Sequence, residues 1–485
     1  MIRFLLGDRE VALEDRRADI TVLEYLRSDI ARRGSKEGCA SGDCGACTVA
    51  VVSVAGDGLR YEPVNACIAP LGSVHGRQLI TVEDLGDAGA WHPVQRAMIE
   101  CHGSQCGFCT PGFVMSLFVL FHQPGEADRA RIIEALGGNL CRCTGYLPII
   151  QAARQALSGP REDRFTRAAS ITAEVLQGMA DAADTSAALN GEDTRYLRPA
   201  SRDELRQQLA ADPQARLVAG GTDLMLEATQ ALNPLPRLID LRAVGELHLL
   251  EADDDGISIG AAISHRAAAP LILGDYPELA ELIERFGSLQ IRSQGTLVGN
   301  LANASPIGDW PPVLLALGAE LCIDSLDGER RLPVDRFFHG YRRTDLKPGE
   351  YLHSVRLPRR AGDLFLRAYK ISKRFEDDIS SVCGVFALRC VDGEVVEARV
   401  AFGGMDAVPR RAAGCEQALL GLDLHDADLS AAASALRGDY RPISDARASA
   451  HYRSLVAARL LDRLQAEFRG EATRVLEPGA QATHG

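Results

Sequence analysis

The sequence is poor in lysine, in net positive charge and in long apolar runs. Only four of its 53 basic residues are lysines, at Lys36, Lys347, Lys370 and Lys373. A lysine in this arginine-rich chain therefore indicates a specific role more strongly than an arginine does. The net charge of −13 argues against a nucleic-acid partner, which would need a basic face.

A membrane span and a secretory signal are also missing. The longest apolar run near the cysteines, Phe113–Phe121, is far too short to cross a bilayer. The start, Met1–Gly7, is a short apolar strand without a cleavable segment behind it. We expect no membrane association and a cytoplasmic location, because dense thiols stay reduced there. The same reasoning argues against a disulfide scaffold.

Several catalytic and binding motifs are absent as well. The sequence has no G-x-G-x-x-G fingerprint, which argues against an NAD-binding fold of its own. None of its 11 histidines belongs to a ligand cluster, and no Ser–His–Asp or paired-carboxylate arrangement stands out. The chemistry must therefore be sought in other residue types.

Cysteine is the informative residue. Nine of the 13 cysteines lie in the first 143 residues, and eight of these form two sets of four. We call them the first set (Cys39, Cys44, Cys47 and Cys67) and the second set (Cys106, Cys109, Cys141 and Cys143). Four thiolates per set predict two metal centres.

The first set has the C-x4-C-x2-C spacing of a plant-type [2Fe–2S] cluster, closed by a distant fourth cysteine. Three glycines in its loop, Gly38, Gly42 and Gly45, are expected to permit positive φ and to let backbone N–H groups point at the sulfurs. The alternative is a four-cysteine zinc site, but zinc ribbons favour C-x2-C knuckles. We therefore predict iron and sulfide at this set.

The ligands of the second set are ambiguous from spacing, because Cys101 repeats the first set's spacing with Cys106 and Cys109. Five cysteines could therefore supply the four ligands. We favour the four cysteines that form two tight turns at two helix starts, where the helix dipole favours a negative cluster. Cys101 is expected to pack as a small apolar residue. From spacing alone this set could also hold zinc, which would make the chain a non-redox scaffold.

The pattern of the chain predicts an α+β multidomain protein. Residues 1–80 suit a β-grasp, ferredoxin-like domain, and residues 81–157 suit a four-helix domain whose second and fourth helices follow the two cysteine pairs. Residues 158–194 are expected to be a surface linker with one helical piece. A two-part α/β domain follows over 195–360 and 361–470, and 471–485 is predicted to be a disordered tail.

Two glycine-rich elements in the α/β region predict a dinucleotide site. The first is a strand and turn that could cradle a pyrophosphate with its backbone N–H groups; its residues are Leu217, Val218, Ala219, Gly220, Gly221, Thr222, Asp223 and Leu224. A Gly-Gly-Thr turn alone is weak. The second element is stronger, since two further loops offer Thr296, Gly299, Asn300 and Asp309.

These blocks together resemble one family. The first cysteine set, the segments 103–112 and 138–146 around the second set, and the two glycine-rich elements are similar to the iron–sulfur and FAD domains of the molybdenum hydroxylases. The resemblance covers residues 1–157 and 195–470. Their fusion without the large molybdopterin domain is similar to the small subunit of bacterial xanthine dehydrogenases, one group of that family.

The resemblance implies an oxidoreductase that relays electrons and carries no catalytic residue of its own. It implies two [2Fe–2S] clusters, FAD, NAD+ as acceptor, and a separate molybdopterin-binding large subunit in an α2β2 assembly. Phe286 and Leu352 should pack on the flavin and Lys370 should contact it, whereas Gln105 and Cys143 should lie near the partner's molybdopterin.

The nicotinamide side is implied in the same way. Tyr341 and the loop of residues 373–378, with Asp377, match the family's elements there. Phe375 departs from the pattern, because a basic residue is common at its position. The same type of electron-transfer chain could also serve a hydroxylase for aldehydes or another N-heterocycle, because substrate specificity lies on the partner.

Overall fold

The computed structural model describes residues 1–56, 58–86, 89–181, 186–471 and 473. Apart from residues 471 and 473, the predicted tail lies outside these ranges. The chain forms several β-sheets and helical layers, so the predicted α+β multidomain fold is confirmed. No helix within the described ranges is long and apolar enough to cross a membrane.

The N-terminal domain is a five-stranded sheet that carries one short helix. Its elements are β1 (Ile2–Leu6), β2 (Arg9–Leu13), α1 (Val22–Glu24, continued by a π-helical turn, Tyr25–Asp29), β3 (Thr48–Ala55), β4 (Gly58–Asn65) and β5 (Gln78–Ile80). The strand order is β2-β1-β5-β3-β4, with β1 and β5 parallel. Thr21 caps α1 by accepting from the Glu24 N–H.

The helical domain packs directly on this sheet. It consists of α2 (Pro93–Glu100), α3 (Thr110–Phe121), α4 (Arg129–Leu136) and α5 (Leu147–Leu157). The apolar helix α3 is buried almost all round and shares one core with Ala50 and Val52 of β3. Burial of α3 explains why its sequence is apolar on every face.

The segment predicted to be a surface linker is more ordered and more buried than expected. It contains α6 (Arg164–Arg167), α7 (Ala169–Asp181) and β6 (Ser186–Asn190). Leu176 and Met179 of α7 are buried against Leu5 of the N-terminal sheet. These two apolar side chains, three residues apart on one helix face, anchor α7, and Phe165 and Leu189 of the same segment are also buried.

The first part of the α/β region contains two sheets. The smaller one has the order β6-β7-β9-β8, built from β7 (Arg195–Pro199), α8 (Arg202–Ala211), β8 (Arg216–Val218), α9 (Leu226–Thr229) and β9 (Arg237–Asp240). Strands β7, β8 and β9 are parallel. The carboxyl end of β8 therefore leads into the glycine-rich turn at the edge where ligands bind in such sheets.

The second sheet of this part is antiparallel and is flanked by helices. The elements, in chain order, are β10 (Leu250–Asp253), β11 (Gly256–Gly260), α10 (His265–Asp275), α11 (Ala280–Glu284), α12 (Leu289–Gln294), α13 (Leu297–Ala302), α14 (Trp310–Leu317), β12 (Glu320–Ser325), β13 (Gly328–Pro333), β14 (Phe338–Gly340), β15 (Arg343–Thr344) and β16 (Tyr351–Pro358). The sheet order is β10-β11-β16-β12-β13, while β14 and β15 pair separately.

The last part is an antiparallel sheet covered by helices. Its elements are β17 (Leu364–Ile371), β18 (Val382–Val391), β19 (Glu394–Gly403), β20 (Arg410–Arg411), α15 (Ala413–Leu419), α16 (Ser430–Asp439) and α17 (Ala450–Phe468). The strands follow one another in order. Apolar side chains of α17 complete the core of this part.

Candidate functional site

The four thiols of the first set lie together in the N-terminal domain. Hydrogen bonds link Cys39 to Cys44 and to Cys67, and Cys67 in turn to Cys47. Bonds from Cys44 and then from Cys67 lower the pKa of Cys39 well below its usual value, which favours a thiolate there. The Ser41 N–H also points at the Cys39 sulfur, at 3.4 Å.

The glycines of this loop have different roles. Gly42 and Gly45 adopt positive φ, at +82° and +66°, as predicted. Gly38 does not, and that prediction was wrong. A Cβ on Gly38 would lie 2.8 Å from the Cys44 sulfur, so glycine is needed there for close approach. Ala40 takes a positive φ of 52° instead.

The second set also comes together, at the starts of α3 and α5. A hydrogen bond joins the thiols of Cys109 and Cys141, and another joins the thiols of Cys143 and Cys106. All four cysteines are free. Burial, then the bond to Cys141, raises the pKa of Cys109 to about 12. Cys101 stays outside: it packs against the helical core, and its thiol donates to Gln155 at 3.1 Å.

The two sets differ in exposure. Cys47 and Cys67 of the first set are 1% and 3% exposed. Cys106 and Cys143 of the second set are exposed, as is Gln105 beside them. The residues expected to face a partner's molybdopterin therefore lie on the surface.

The backbones of the two cysteine loops touch. The Leu140 N–H, next to Cys141, donates to the carbonyl of Cys44 at 3.0 Å. A Cβ on Gly112 would lie 2.1 Å from the Gly45 carbonyl oxygen, and one on Gly45 would lie 2.2 Å from that of Gly138. The glycines thus allow an approach that no other residue permits.

Four thiols in each place are the donors that a [2Fe–2S] cluster uses, so the residues present fit that group. In the described part of the chain, no three or more His, Cys, Asp or Glu side chains are arranged to hold a single metal ion. The thiols of the first set form one chain of contacts, and those of the second set form two pairs. The fit therefore rests on the chemistry and proximity of the donors.

A cavity of about 580 Å³ lies between the sheets of the α/β region and the first cysteine loop. All fifteen residues predicted for FAD line its wall: Leu217, Val218, Ala219, Gly220, Gly221, Thr222, Asp223, Leu224, Phe286, Thr296, Gly299, Asn300, Asp309, Leu352 and Lys370. That they bind FAD remains a prediction, but the structure brings them to one place. The volume lies in the range of cofactor sites.

The polar groups of this wall suit a dinucleotide. The N–H groups of Gly221, Thr222 and Asp223 donate to no other described residue, so they remain available to phosphate oxygens. The buried amide oxygen of Asn300 likewise has no partner among those residues. Buried polar atoms normally have hydrogen-bond partners, so this unpaired oxygen in the cavity wall indicates a ligand.

Lys370 is not an ordinary exposed base. It is 5% exposed, and its Nζ lies 2.6 Å from Asp309 Oδ2 and 3.0 Å from Ser380 Oγ. Ser380 also donates to Asp309, at 2.6 Å. Burial is tolerated because the two charges neutralise each other within the cavity wall.

The structure separates the two nicotinamide-side residues. Asp377 lines the cavity, with φ at +45°. Tyr341 is 64% exposed in the turn between β14 and β15 and does not line the cavity. The neighbouring Arg342 reaches the rim, 3.9 Å from Asp223.

Phe375 makes a cation–π contact with Arg285. The guanidinium of Arg285 lies 4.3 Å from the Phe375 ring centre, and its Nε donates to the Phe375 carbonyl at 2.9 Å. Arg285 thus brings a positive charge to the loop where the sequence lacks the usual basic residue.

Three protein-family profiles match consecutive parts of the chain. They are described as a [2Fe-2S] binding domain (81–154), an FAD binding domain in molybdopterin dehydrogenase (191–360) and a CO dehydrogenase flavoprotein C-terminal domain (367–468). The solved quinoline 2-oxidoreductase from Pseudomonas putida 86 is similar over 56% of this chain and 95% of its own, with 30% identity and a TM-score of 0.52. The chain belongs to the molybdenum hydroxylase family.

Curated members of the family are similar over most of the chain. Xanthine dehydrogenase of Emericella nidulans is 33% identical over 90% of this chain and 36% of its own length. Aldehyde oxidase 4 of Cavia porcellus is 30% identical over 83% and 34%. The chain therefore spans about a third of these relatives and corresponds to the 2Fe–2S and FAD part of a molybdenum hydroxylase.

The matched ranges include only one of the two cysteine sets. The [2Fe-2S] binding domain covers the second set and supports iron and sulfide over zinc there. The first set lies outside all three matched ranges, and its cluster stays a prediction.

Sequence reasoning missed several cavity residues of this chain. Ser41 and Asp43 come from the first cysteine loop, and His265, Ile291 and Tyr351 come from the α/β region. Ser41 and Asp43 stand inside the first cysteine motif, but that motif does not indicate contact with a second cofactor site. Only the docking of one domain on another brings the cysteine loop to the cavity, and no local pattern reports such docking.

Proposed function

We propose that this chain is the electron-transfer part of a xanthine dehydrogenase. Its partner would be a separate molybdopterin-binding chain that oxidises hypoxanthine to xanthine and xanthine to urate. When bound, two [2Fe–2S] clusters and FAD would supply the carriers that take electrons from the partner to NAD+. The xanthine dehydrogenase relatives support this choice of substrate.

One observation carries the proposal: the two cysteine sets and the cavity form a continuous series. The second set is exposed at one end, and its loop bonds to the first loop through Leu140 N–H and Cys44 O. The first loop in turn contributes Ser41 and Asp43 to the cavity wall. A partner at the exposed end would therefore be joined to the flavin site through both sets.

The residues of the chain have separable tasks in this proposal. The cysteines hold the clusters as thiolates, and the N–H groups of Ser41 and Thr144 point at the sulfurs of Cys39 and Cys141, at 3.4 and 3.5 Å. The Lys370–Asp309 pair keeps a fixed charge arrangement in the cavity. Burial of Cys47 and Cys67 keeps water away from their sulfurs.

We further propose that Gln105 and Cys143 face the partner in an α2β2 assembly, and that the protein is cytoplasmic because its thiols must stay reduced. Asp377 would form the acceptor side of the cavity, with Tyr341 at its rim. No separate dinucleotide fold supports NAD+, so nicotinamide would have to stack on the flavin within this cavity.

Purification of the complex under anaerobic conditions tests the function. We expect about four irons, about four sulfides and one flavin for each copy of this chain. We also expect xanthine-dependent reduction of NAD+. A chain without iron and acid-labile sulfide would contradict the proposal, and colourless protein with bound zinc would establish the scaffold alternative.

A second function is favoured by the aldehyde oxidase relative, which is nearly as similar as the xanthine dehydrogenases. In that case this chain would do the same work for a hydroxylase of aldehydes or another N-heterocycle. Activity with aldehydes but not with xanthine, at the same cofactor content, would decide for it.

A further inference from the structure

One buried side chain lies where three domains meet. Gln290 of α12 is 0% exposed. Its Nε2 lies 3.2 Å from Thr48 Oγ1 in the N-terminal domain, 3.3 Å from Ser116 Oγ on α3, and 3.2 Å from Asn139 Oδ1 before the second cysteine pair. A single amide of the α/β region thus contacts both cysteine-bearing domains.

The acceptors are close to the cysteines themselves. Thr48 follows Cys47 directly, and Asn139 stands two residues before Cys141. Both also bind the carbonyl of Gly45, in the middle of the first cysteine loop: the Thr48 hydroxyl at 2.7 Å and the Asn139 Nδ2 at 3.0 Å. The amide of Gln290 therefore belongs to a network that includes both loops.

The same helix forms part of the cavity wall. Ile291, next to Gln290, lines the cavity, and its Cδ1 would lie 3.2 Å from a Cβ on Gly42. Gln294 accepts from the Asn65 N–H at 3.3 Å. Helix α12 consequently contacts the first cysteine loop, the second cysteine loop and the flavin cavity within two turns.

The amide of Gln290 is not explained by stability alone. Its Oε1 is buried without a hydrogen-bond partner among the described residues. The same oxygen lies close to Gly138, where an added Cβ would come within 2.3 Å of it. An unpaired buried oxygen is a cost that an apolar side chain of this size would avoid. Retaining the amide keeps Nε2, whose two N–H protons are shared among the three acceptors that join the domains.

We propose that Gln290 is a positioning residue that fixes the spacing of the two cysteine sets from each other and from the flavin cavity. The inference rests on the proposed function, because it gives the spacing a role only if both sets hold clusters. Gln290 touches no thiol and no reacting atom. It acts through Thr48 and Asn139, which hold the cysteine loops.

The test compares Gln290→Met with Gln78→Met in the complete complex. Gln78 is a matched control: it is 4% exposed, and its Nε2 also makes a buried hydrogen bond, to the Gly7 carbonyl at 2.7 Å, but within a single domain. Both variants should lower the melting temperature and keep their iron. The deciding measurement is electron paramagnetic resonance of the fully reduced complex.

We expect the magnetic splitting between the two reduced clusters to be weakened or lost in Gln290→Met and unchanged in Gln78→Met. An unchanged splitting in Gln290→Met, or an equal change in both variants, overturns the inference. A wild-type complex without two paramagnetic clusters would instead refute the proposed function, so the two failures are distinguishable.

A milder variant keeps the test decisive if Gln290→Met does not fold. Ser116→Ala removes one acceptor of the amide and leaves the others in place. We expect a smaller change of the splitting in the same direction. If Ser116→Ala retains the wild-type splitting when Gln290→Met cannot be purified, the inference is overturned.

Discussion

The two cysteine sets are built from the same ligand type but in opposite environments. The first set lies where the N-terminal domain meets the helical domain and the α/β region. Its Cys47 and Cys67 are buried, its Cys39 and Cys44 are half-buried, and its loop contributes to the cavity wall. The second set stands at two helix starts, with Cys106 and Cys143 exposed. One site is closed and faces inward, whereas the other is open and faces outward.

The difference follows from how each loop is supported. The first loop is held by backbone and side-chain contacts from other domains, including Gln230 Nε2 to the Cys39 carbonyl at 2.8 Å and Thr229 Oγ1 to the Ala40 carbonyl at 2.8 Å. The second loop is held by the helical core and by the contacts of Leu140 with Cys44 and of Asn139 with Gln290, but its Cys106 and Cys143 are exposed. An electron carrier between two others suits the closed site, and one that must meet a partner suits the open site.

The largest expected effect comes from removing one ligand of each set. Cys67→Ser and Cys143→Ser should each halve the iron and sulfide content. Cys67→Ser should also cost about 4 kcal/mol or more of folding free energy, the class of loss expected when a buried metal site fails. Cys143→Ser should leave the flavin content unchanged.

Iron and sulfide analysis, flavin absorbance and thermal denaturation measure these effects. Equal loss of stability in the two variants would show that the closed and open sites do not differ. Cys101→Ser is the control, because its thiol bonds to Gln155 and lies outside both sets, so the cluster content should not change.

The second effect is the order in which the clusters are lost. Incubation of the native protein with a chelator in air should remove iron from the exposed second set first, because solvent reaches Cys106 and Cys143. The signal of the first set should persist until the protein unfolds. Spectra recorded over time distinguish the two clusters, and loss of the first-set signal ahead of the other would contradict the contrast.

The sequence predicted the helices, and which cysteines lie together, because those features have local signals. Gly137 stands at the C-cap of α4 and Pro148 lies in the first turn of α5, and both are residue types that mark helix ends. The four cysteines of the second set were separated from Cys101 by their position at helix starts. Spacing, caps and turn residues are properties of a few consecutive residues, so one sequence is enough to reveal them.

The contacts between domains had no such signal. Ser41 and Asp43 reach the flavin cavity only because one domain docks on another. The role of Gly38 was misjudged for the same reason, since the neighbouring Cys44 sulfur, and not its own φ, requires glycine there. Helix α7 was expected to lie on the surface, yet two of its side chains are buried by a sheet far away in sequence.

A pair of glycine substitutions gives the third effect. Gly45 and Gly107 both have positive φ, at +66° and +84°, so alanine costs roughly 1–2 kcal/mol at either position. Gly107 has open space around its Cα, but a Cβ on Gly45 would lie 2.2 Å from the Gly138 carbonyl. Gly45→Ala should therefore cost about 1–3 kcal/mol more than Gly107→Ala.

Thermal or denaturant unfolding of the two alanine variants measures the difference. The extra cost should appear together with reduced iron retention, since the clash separates the two cysteine loops. Equal destabilisation would mean that the closed site tolerates expansion as readily as the open one.

The smallest effect concerns charge on the closed side. Burial, and then the charge of Asp43 in the first cysteine loop, raises the pKa of Asp377 from its ordinary value of 3.8 to about 7. The folded protein thus holds this proton more tightly than the unfolded chain does. Its contribution to stability is present below about pH 4 and is lost as the pH rises through 7.

Asp377→Asn removes this dependence. The free energy of unfolding of the variant relative to wild type should rise by about 1 kcal/mol between pH 5 and pH 7 and then level off, and thermal denaturation measures this rise. The gain is small because solvent screening reduces the effect at this half-buried position.

Asp378→Asn is the matched control in the same loop. Burial alone would raise the pKa of Asp378, but the N–H groups of Arg374 and Ile379 outweigh it and lower that pKa, so this variant should be less stable than wild type at both pH values. If Asp377→Asn shows no rise between pH 5 and pH 7, the pKa of the Asp377 carboxyl is not raised in the folded protein. The electrostatic influence of the first cysteine loop would then not extend across the cavity to the acceptor side.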